Sequence, residues 1–326
     1  MATLQDVANR AGVTVTTVSR MLNERVKVSK KTRDKIEKAM LELEYRPNEM
    51  ARSLAKKSSN IIGLMVPSVK QYFFAELIQE VEDAVAAQQC QLLLCISDHE
   101  LDKENAYYQA LLGDRVRGII VASYSQGFDE LARRGAPVVY IERQSEDGTP
   151  YAMMDSFEGG RLAGEHLISK GCRKLLYLSG NASRNSVSNL RYRGFTEACS
   201  ALGIPEPRLI EAEWEEFISL DYSDTIRRVF EQYPDTDGIL ASNDLIAATV
   251  VRYCLKNGIR IPGQLKVVGY DDTSFASLCP VQLTTIHQPV REVARYAVDC
   301  VIRCAAGETV PVSAVFPVRL VERETT

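Results

Sequence analysis

Residues 4–23 read LQDVANRAGVTVTTVSRMLN. Leu4, Val7, Ala8 and Ala11 fall at i, i+3, i+4 and i+7, one face of a short helix. Gly12 can take the left-handed conformation that ends such a helix. Val13 is expected to pack inward, and Thr14 to cap a second helix running to about Leu22. On that helix Val18 and Leu22 turn back towards the first. Thr16, Arg20 and Asn23 share the opposite face, flanked by Val15 and Ser19. Two short helices joined by a tight glycine turn, the second with an exposed polar face, form a helix-turn-helix. A third helix is predicted from its cap, Ser29, with Ile36, Ala39, Met40 and Leu43 as its apolar stripe.

Charge gives this front a second distinction. Residues 1–57 hold thirteen Lys or Arg against seven Asp or Glu, a net of +6. The other residues hold 26 against 36, a net of −10. A basic head on an acidic body points to a polyanion held at one end only. The second helix suits the DNA major groove. Arg20 can donate twice to guanine, Val15 can touch a thymine methyl, and Thr16 can bond either base type. Thr14, Thr17, Ser19, Asn23, Ser29 and Thr32 carry short hydroxyl or amide side chains suited to phosphate oxygens, which fix register rather than sequence. Beyond Pro47, which stops the third helix, Asn48 can cap a further one with Met50, Ala51 and Leu54 on one face. So short a helix does not hold alone in water, so its order must come from a partner.

The chain's 326 residues exceed one small core and call for two or three domains. Its longest apolar runs, such as LLLCI at 92–96 and GIIVA at 118–122, are far short of a membrane span. No apolar leader opens the sequence. None of the eight cysteines forms a C-x-x-C pair, and most sit in apolar segments, as reduced thiols of cytoplasmic proteins do. Cys300 and Cys304 could hold zinc only with help, and none of the three histidines lies nearby, so no metal or other cofactor is expected. G-x-S-x-G, G-x-x-x-x-G-K-[ST], H-E-x-x-H and G-x-G-x-x-G are absent. His99, His166 and His287 stand isolated, and the pair Asp271–Asp272 has no further ligand beside it. The expectation is therefore a binding protein and no enzyme.

The body alternates. Strands are predicted at 61–66, 92–97, 118–123, 138–141, 174–179, 238–242 and 266–270. Helical stretches lie between them: FFAELIQEVEDAVAAQQ, ENAYYQALLGDR, EGGRLAGEHLISKG, YRGFTEACSALG, YSDTIRRVFEQY and DLIAATVVRYCLKNG. Continuous apolar strands separated by helices mean α/β architecture with parallel sheets.

In order along the chain, TLQDVANRAGVTVTTVSRMLN (3–23), YRPNEMARSLAKK (45–57), GYDD (269–272) and LTTIHQP (283–289) resemble the lac repressor family of bacterial transcription regulators. The resemblance covers the whole chain. It implies a helix-turn-helix head at 1–47, a hinge helix and linker at 48–60, and an effector-binding and dimerisation domain at 61–326. That body is expected to be periplasmic-binding-protein-like, with two doubly wound parallel-sheet lobes. Lobe 1 spans about 61–158 and 288–318, lobe 2 about 159–287 and 319–326. The chain then crosses between lobes near 158, 288 and 318, and a ligand binds in the cleft at the carboxyl ends of the strands. In the family, paired hinge helices enter the minor groove and a leucine wedges into the central base step. Leu54 stands at that position with Met50 and Ala51 beside it. Ala55 replaces a basic residue common there, leaving Lys56 and Lys57 to serve.

The same resemblance implies the effector contacts: Arg191 in NLRYRGF, the facing Asp271, Asn243 in ASNDL, Trp214 in AEWEE, and the aromatic pair Phe73 and Phe74 at the cleft mouth. Glu142 stands where many relatives carry aspartate. The segment 181–189 is one residue longer than in several relatives. Carboxylates, an amide and a guanidinium pair well with hydroxyls, and an indole face with the apolar side of a sugar ring. MMDSFEGGRLAG with NLRYRGF looks closest to sucrose-operon repressors, so sucrose, fructose or a phosphorylated form is the expected effector. A purine co-repressor or a phosphoprotein partner are the alternatives. Each head reads only a half-site, so a homodimer on near-palindromic operator DNA is expected. The ending VERETT carries no leucine heptads, which argues against a tetramer.

Overall fold

The computed structural model describes residues 2–22, 28–45, 59–123, 135–145, 147–180 and 187–326. The predicted hinge, with Met50, Ala51, Leu54, Lys56 and Lys57, lies outside the described residues, as do Asn23 and 181–186. The chain divides into two compact units, residues 1–59 and 60–326.

Among its described residues the first unit has three helices, α1 (Leu4–Ala11), α2 (Val15–Leu22) and α3 (Lys30–Glu42). Thr3 and Asp6 cap α1 reciprocally, each side chain accepting the other's backbone N–H at 3.3 and 2.8 Å. Gly12, at φ +68°, ends α1 in the left-handed region and donates back to Ala8 and Asn9. Thr14 Oγ1 accepts the Thr17 N–H at 3.2 Å, and Ser29 Oγ accepts that of Thr32 at 3.3 Å. Val7, Ala8, Val18 and Ile36 are fully buried between the three helices, and Arg10 reaches Glu42 to tie α1 to α3 at 2.5 Å.

The second unit carries two six-stranded sheets. In the first lie β1 (Ile61–Val66), β2 (Gln91–Ile96), β3 (Gly118–Val121), β4 (Val138–Ile141), β5 (Tyr151–Met154) and β11 (Ser313–Phe316), in the order β11-β5-β4-β3-β1-β2 and all parallel. Helices α4 (Tyr72–Ala87), α5 (Leu101–Gly113) and α11 (Val290–Ala305) accompany it. The second sheet holds β6 (Leu175–Ser179), β7 (Arg208–Glu211), β8 (Gly238–Ala241), β9 (Lys266–Asp271), β10 (Thr284–His287) and β12 (Arg319–Val321), in the order β12-β10-β9-β8-β6-β7. Only β12 runs antiparallel, against β10. With this sheet go α6 (Ser156–Ser169), α7 (Val187–Ala201), α8 (Trp214–Ser219), α9 (Ser223–Gln232) and α10 (Asp244–Lys256). The chain changes sheets three times: between β5 and α6, between β10 and α11, and between β11 and β12.

Five strands, β5, β7, β10, β11 and β12, and the helices α8 and α11 go beyond the predicted elements. β5, β7, β11 and β12 have three or four residues each, and β7 and β11 are largely exposed. β10 starts with two threonines that read as polar yet are fully buried, because their hydroxyls find partners: Thr285 donates to Asp244 at 2.6 Å, and Thr284 pairs with Thr326 at 2.8 Å. In α11 the i, i+3, i+4, i+7 pattern is present in Val290, Val293, Ala294 and Ala297, all buried.

Helices α6 and α7 meet at backbone distance. A Cβ on Gly160 would stand 1.9 Å from the Arg191 carbonyl oxygen, and one on Gly194 would stand 1.9 Å from that of Phe157. The glycines of EGGRLAG and RYRGF thus let α7 press onto α6, and that contact sets where Arg191 stands.

Candidate functional site

In the first unit Thr16 and Arg20, one helical turn apart on α2, are both exposed. They present the polar face that the sequence suggested. Val15 is half-buried against the three-helix core, so its side chain serves packing as well. The hydroxyls of Thr14 and Thr17 bond each other at 2.9 Å, and those of Ser29 and Thr32 at 2.8 Å. These four side chains are held by helix capping, while Ser19 is half-buried on α2.

In the second unit, polar side chains gather at the carboxyl ends of both sheets. Glu142 follows β4, Asp271 ends β9, Gln288 follows β10, and Ser242 and Asn243 follow β8. Arg191, on α7, is buried among them. Its guanidinium carbon lies over the Tyr270 ring, 3.7 Å from the centroid, and the group donates to the Ser242 carbonyl at 2.6 Å. Asp271 Oδ1 accepts from the Gln288 amide at 2.6 Å, and Glu142 Oε1 accepts the Met154 N–H at 2.6 Å. Glu142 Oε2, Arg191 Nε and Gln288 Oε1 are buried without a hydrogen-bond partner among the described residues. Buried polar atoms normally find partners, so such a group at strand ends marks a place for ligand.

The electrostatics agree. Burial pushes the Glu142 carboxyl up to about 7, opposed by the charge of Arg191 and the Met154 N–H. Burial also raises Asp271 well above the ordinary aspartate range, against the pull of Arg191. Asp244 lies beneath, accepting from Thr285 and from the Thr273 N–H at 3.1 Å, and burial lifts it to about 7. Glu142 and Asp271 adopt φ of +57° and +118°, conformations that non-glycine residues take at a cost. Such strain concentrates at ligand sites. Glu142 belongs to the first sheet and Arg191 packs with the second, so their attraction spans the two halves of the body.

Of the aromatic pair, Phe73 lines a small pocket with Asn243 and Asp271, whereas Phe74 is packed in the core. Phe74 shares the body's core cluster with Phe73 but does not line that pocket. It follows Phe73 on α4, and neighbours on a helix point about 100° apart. Asn243 spends its side-chain oxygen capping α10, accepting from Ile246 at 2.9 Å. Trp214 opens α8 and is 48% exposed, which excludes a core role.

Sequence reading missed Tyr270, Gln288, Phe217 and His99 as parts of this site. Tyr270 and Gln288 lie within the quoted GYDD and LTTIHQP stretches, a signal within reach. The histidines are not isolated either. His99 contacts Trp214, His166 meets Thr326 at 2.9 Å, and His287 pairs with Asp272 at 2.9 Å, where Arg323 also binds. Asp272 is thus engaged by Arg323 and His287 of the chain itself. Among the described residues no group of three or more His, Cys, Asp or Glu is arranged to hold a metal ion, and no helix is long and apolar enough to cross a membrane.

Comparison with known proteins matches residues 3–48 to the family described as "Bacterial regulatory proteins, lacI family" and residues 165–326 to a "Periplasmic binding protein-like domain". A sucrose operon repressor of Streptococcus mutans is 34% identical over 99% of both chains. Among solved structures, a lac repressor dimer bound to operator and the anti-inducer ONPF aligns with a TM-score of 0.87 at 28% identity, over 99% of this chain and 98% of that one. A LacI-type regulator from Alkaliphilus metalliredigens, complexed with D-xylulofuranose, aligns at 0.73 with 34% identity, over 82% of this chain and 99% of that one. Matched end to end by such relatives, with the helix-turn-helix face in one unit and the polar cleft in the other, this chain belongs to the lacI family of bacterial regulatory proteins.

Proposed function

We propose that the protein is a sequence-specific, DNA-binding transcription regulator, a repressor of a sugar-utilisation operon, whose grip on DNA is set by a sugar bound in the body's cleft. The observation that carries the effector half is the convergence of unpartnered Glu142 Oε2, Arg191 Nε and Gln288 Oε1 at the carboxyl ends of the two sheets. Acceptors and a donor at close quarters, with Phe73 and Trp214 as apolar walls, fit a ligand rich in hydroxyls. Sucrose and fructose head the candidates because a sucrose operon repressor matches the whole chain.

In the head, Arg20 and Thr16 read base edges, Val15 contributes its outer methyl, and Thr14, Thr17, Ser19, Asn23, Ser29 and Thr32 meet the backbone. The segment 48–60 pairs with its copy in a homodimer and places Leu54, Met50 and Ala51 in the minor groove, with Lys56 and Lys57 on phosphates. Exposed Leu93 and Leu94 on edge strand β2, and exposed Leu255 and Leu278, give the body apolar surface that a second copy would cover. The work of such a regulator is binding, in the cytoplasm, with no chemical step.

A ligand with different affinity for two lobe angles shifts DNA affinity by that difference alone, and DNA shifts ligand affinity equally. Calorimetry with sucrose, fructose, ribose and their phosphates tests the cleft. Heat of binding that vanishes in Arg191→Ala supports the reading, and a response to purines instead of sugars replaces the effector.

A further inference from the structure

The three crossings between sheets all involve strands at one edge: β11 and β5 in the first sheet, β12 and β10 in the second. The opposite edges are β2 and β7, and the chain leaving each of them meets the other. After β2, Asp98 and His99 both take left-handed φ, +52° and +64°, which turns His99 back over the strand end. After β7, α8 begins at Trp214 and carries Phe217 at the i+3 position. His99 packs its ring edge-on to Trp214, with centroids 5.9 Å apart and planes at 76°, and against Phe217 at 5.1 Å and 58°. Trp214 and Phe217 are themselves 5.4 Å apart. Phe217 lies 3.1 Å from where a Cβ of Gly180 would stand, so the cluster reaches the carboxyl end of β6 in the cleft.

We propose that His99 is a positioning residue for ligand: beside the Tyr72–Phe275 stack and the Ser274–Glu76 bond nearer the middle of the cleft, it is a contact through which the first lobe clasps the second at the end farthest from the crossings. This rests on the cleft reading above. Lobes joined by three strands of chain at one edge swing about that edge, so a contact at the far edge acts with the longest lever. An edge-to-face ring pair is worth about 0.5–1.5 kcal/mol, enough to bias closure without locking it. Burial holds the His99 imidazole below its ordinary pKa, and a neutral ring is the form that packs against two aromatic faces. Trp214, half exposed, keeps surface for ligand while Phe217 and His99 back it.

Trp214 is the chain's single tryptophan, so its emission reports on this contact. The full chain is compared with His99→Ala and His99→Phe, with folding checked by circular dichroism. Without ligand, His99→Ala should raise acrylamide quenching of Trp214 and move its emission to longer wavelength, while His99→Phe restores the wild-type signal. With the bound sugar, His99→Ala should weaken affinity about two- to tenfold, through faster dissociation, and His99→Phe should stay near wild type. Unchanged quenching in ligand-free His99→Ala overturns the clasp, as does unchanged ligand affinity alongside altered quenching. If no sugar binds the wild-type chain, the sugar reading fails, and Trp214 quenching alone then decides whether the clasp exists.

Discussion

Replacing Gly160 with alanine puts one methyl between α6 and α7. That carbon would stand 1.9 Å from the Arg191 carbonyl oxygen, 2.7 Å from its carbonyl carbon and 3.0 Å from its Cα. Ordinary contact begins at 3.4 Å, so the helices must separate by about 1.5 Å. The obstacle is backbone, which cannot rotate aside. Overpacking of this kind costs about 3 kcal/mol, at the upper end of its usual range. The better helix propensity of alanine returns about 1 kcal/mol. A net loss of about 2 kcal/mol should lower Tm by roughly 4–8 °C in a body of this size. The larger effect is on Arg191. Its stack on Tyr270 at 3.7 Å and its bond to Ser242 at 2.6 Å cannot both survive a shift of that size. Sugar affinity should fall at least about tenfold, one lost charged hydrogen bond being sufficient. Gly113→Ala is the control: nothing lies within 4 Å of its added carbon, so stability should hold or rise slightly. Thermal melts followed by circular dichroism, with calorimetry on the same samples, read both effects. A Gly160→Ala protein as stable as wild type and binding sugar equally well would refute the reasoning.

Other perturbations separate the remaining parts. Glu142 titrates near 7 in the folded body against about 4.5 unfolded, so the folded state holds an extra proton between those values. Stability from this group therefore falls as pH rises from about 4.5 to 7, by about 3 kcal/mol in full. Glu142→Gln should flatten that share of the pH dependence in urea titrations, and an equal slope in both proteins would exclude it. If sugar hydroxyls donate to ionised Glu142, affinity should rise about tenfold from pH 6 to pH 8, and the Gln variant should lose that rise. Arg191→Ala leaves Glu142 and Asp271 facing each other without a cation; it should abolish the sugar response while operator binding persists, as mobility shifts would read. Arg20→Ala should cost about 1–3 kcal/mol of discrimination at one base pair per half-site, and equal loss on random DNA would remove its base-reading role.

The head was legible almost residue by residue because its signals are local: a cap, a glycine, a stripe and a charge excess. Caps at Thr14 and Ser29, the left-handed Gly12 and the buried Val18 and Ile36 are features that short-range sequence decides. The body's parallel strands were equally plain wherever they are buried on both faces, as β1, β3 and β4 are. Sequence was least informative at edges and crossings. There strands are short, and burial depends on partners far along the chain, as Thr284 and Thr285 show. Arg191 and Asp271 came from motif resemblance, not from pattern. His99 gave no signal at all, since its role depends on two edge strands, 91–96 and 208–211, ending side by side.

The central claim is that a sugar held between the lobes governs how tightly the head grips a palindrome. The most direct measurement is a fluorescence anisotropy titration of the full chain onto the near-palindrome it selects from random DNA, with and without sucrose or fructose. The account predicts two chains per duplex, affinity that falls steeply with salt, and an apparent Kd moved at least about fivefold by the sugar, the lower bound of ordinary coupling. A Kd identical with and without every sugar that binds the body, or equal affinity for the palindrome and random duplex, would contradict it.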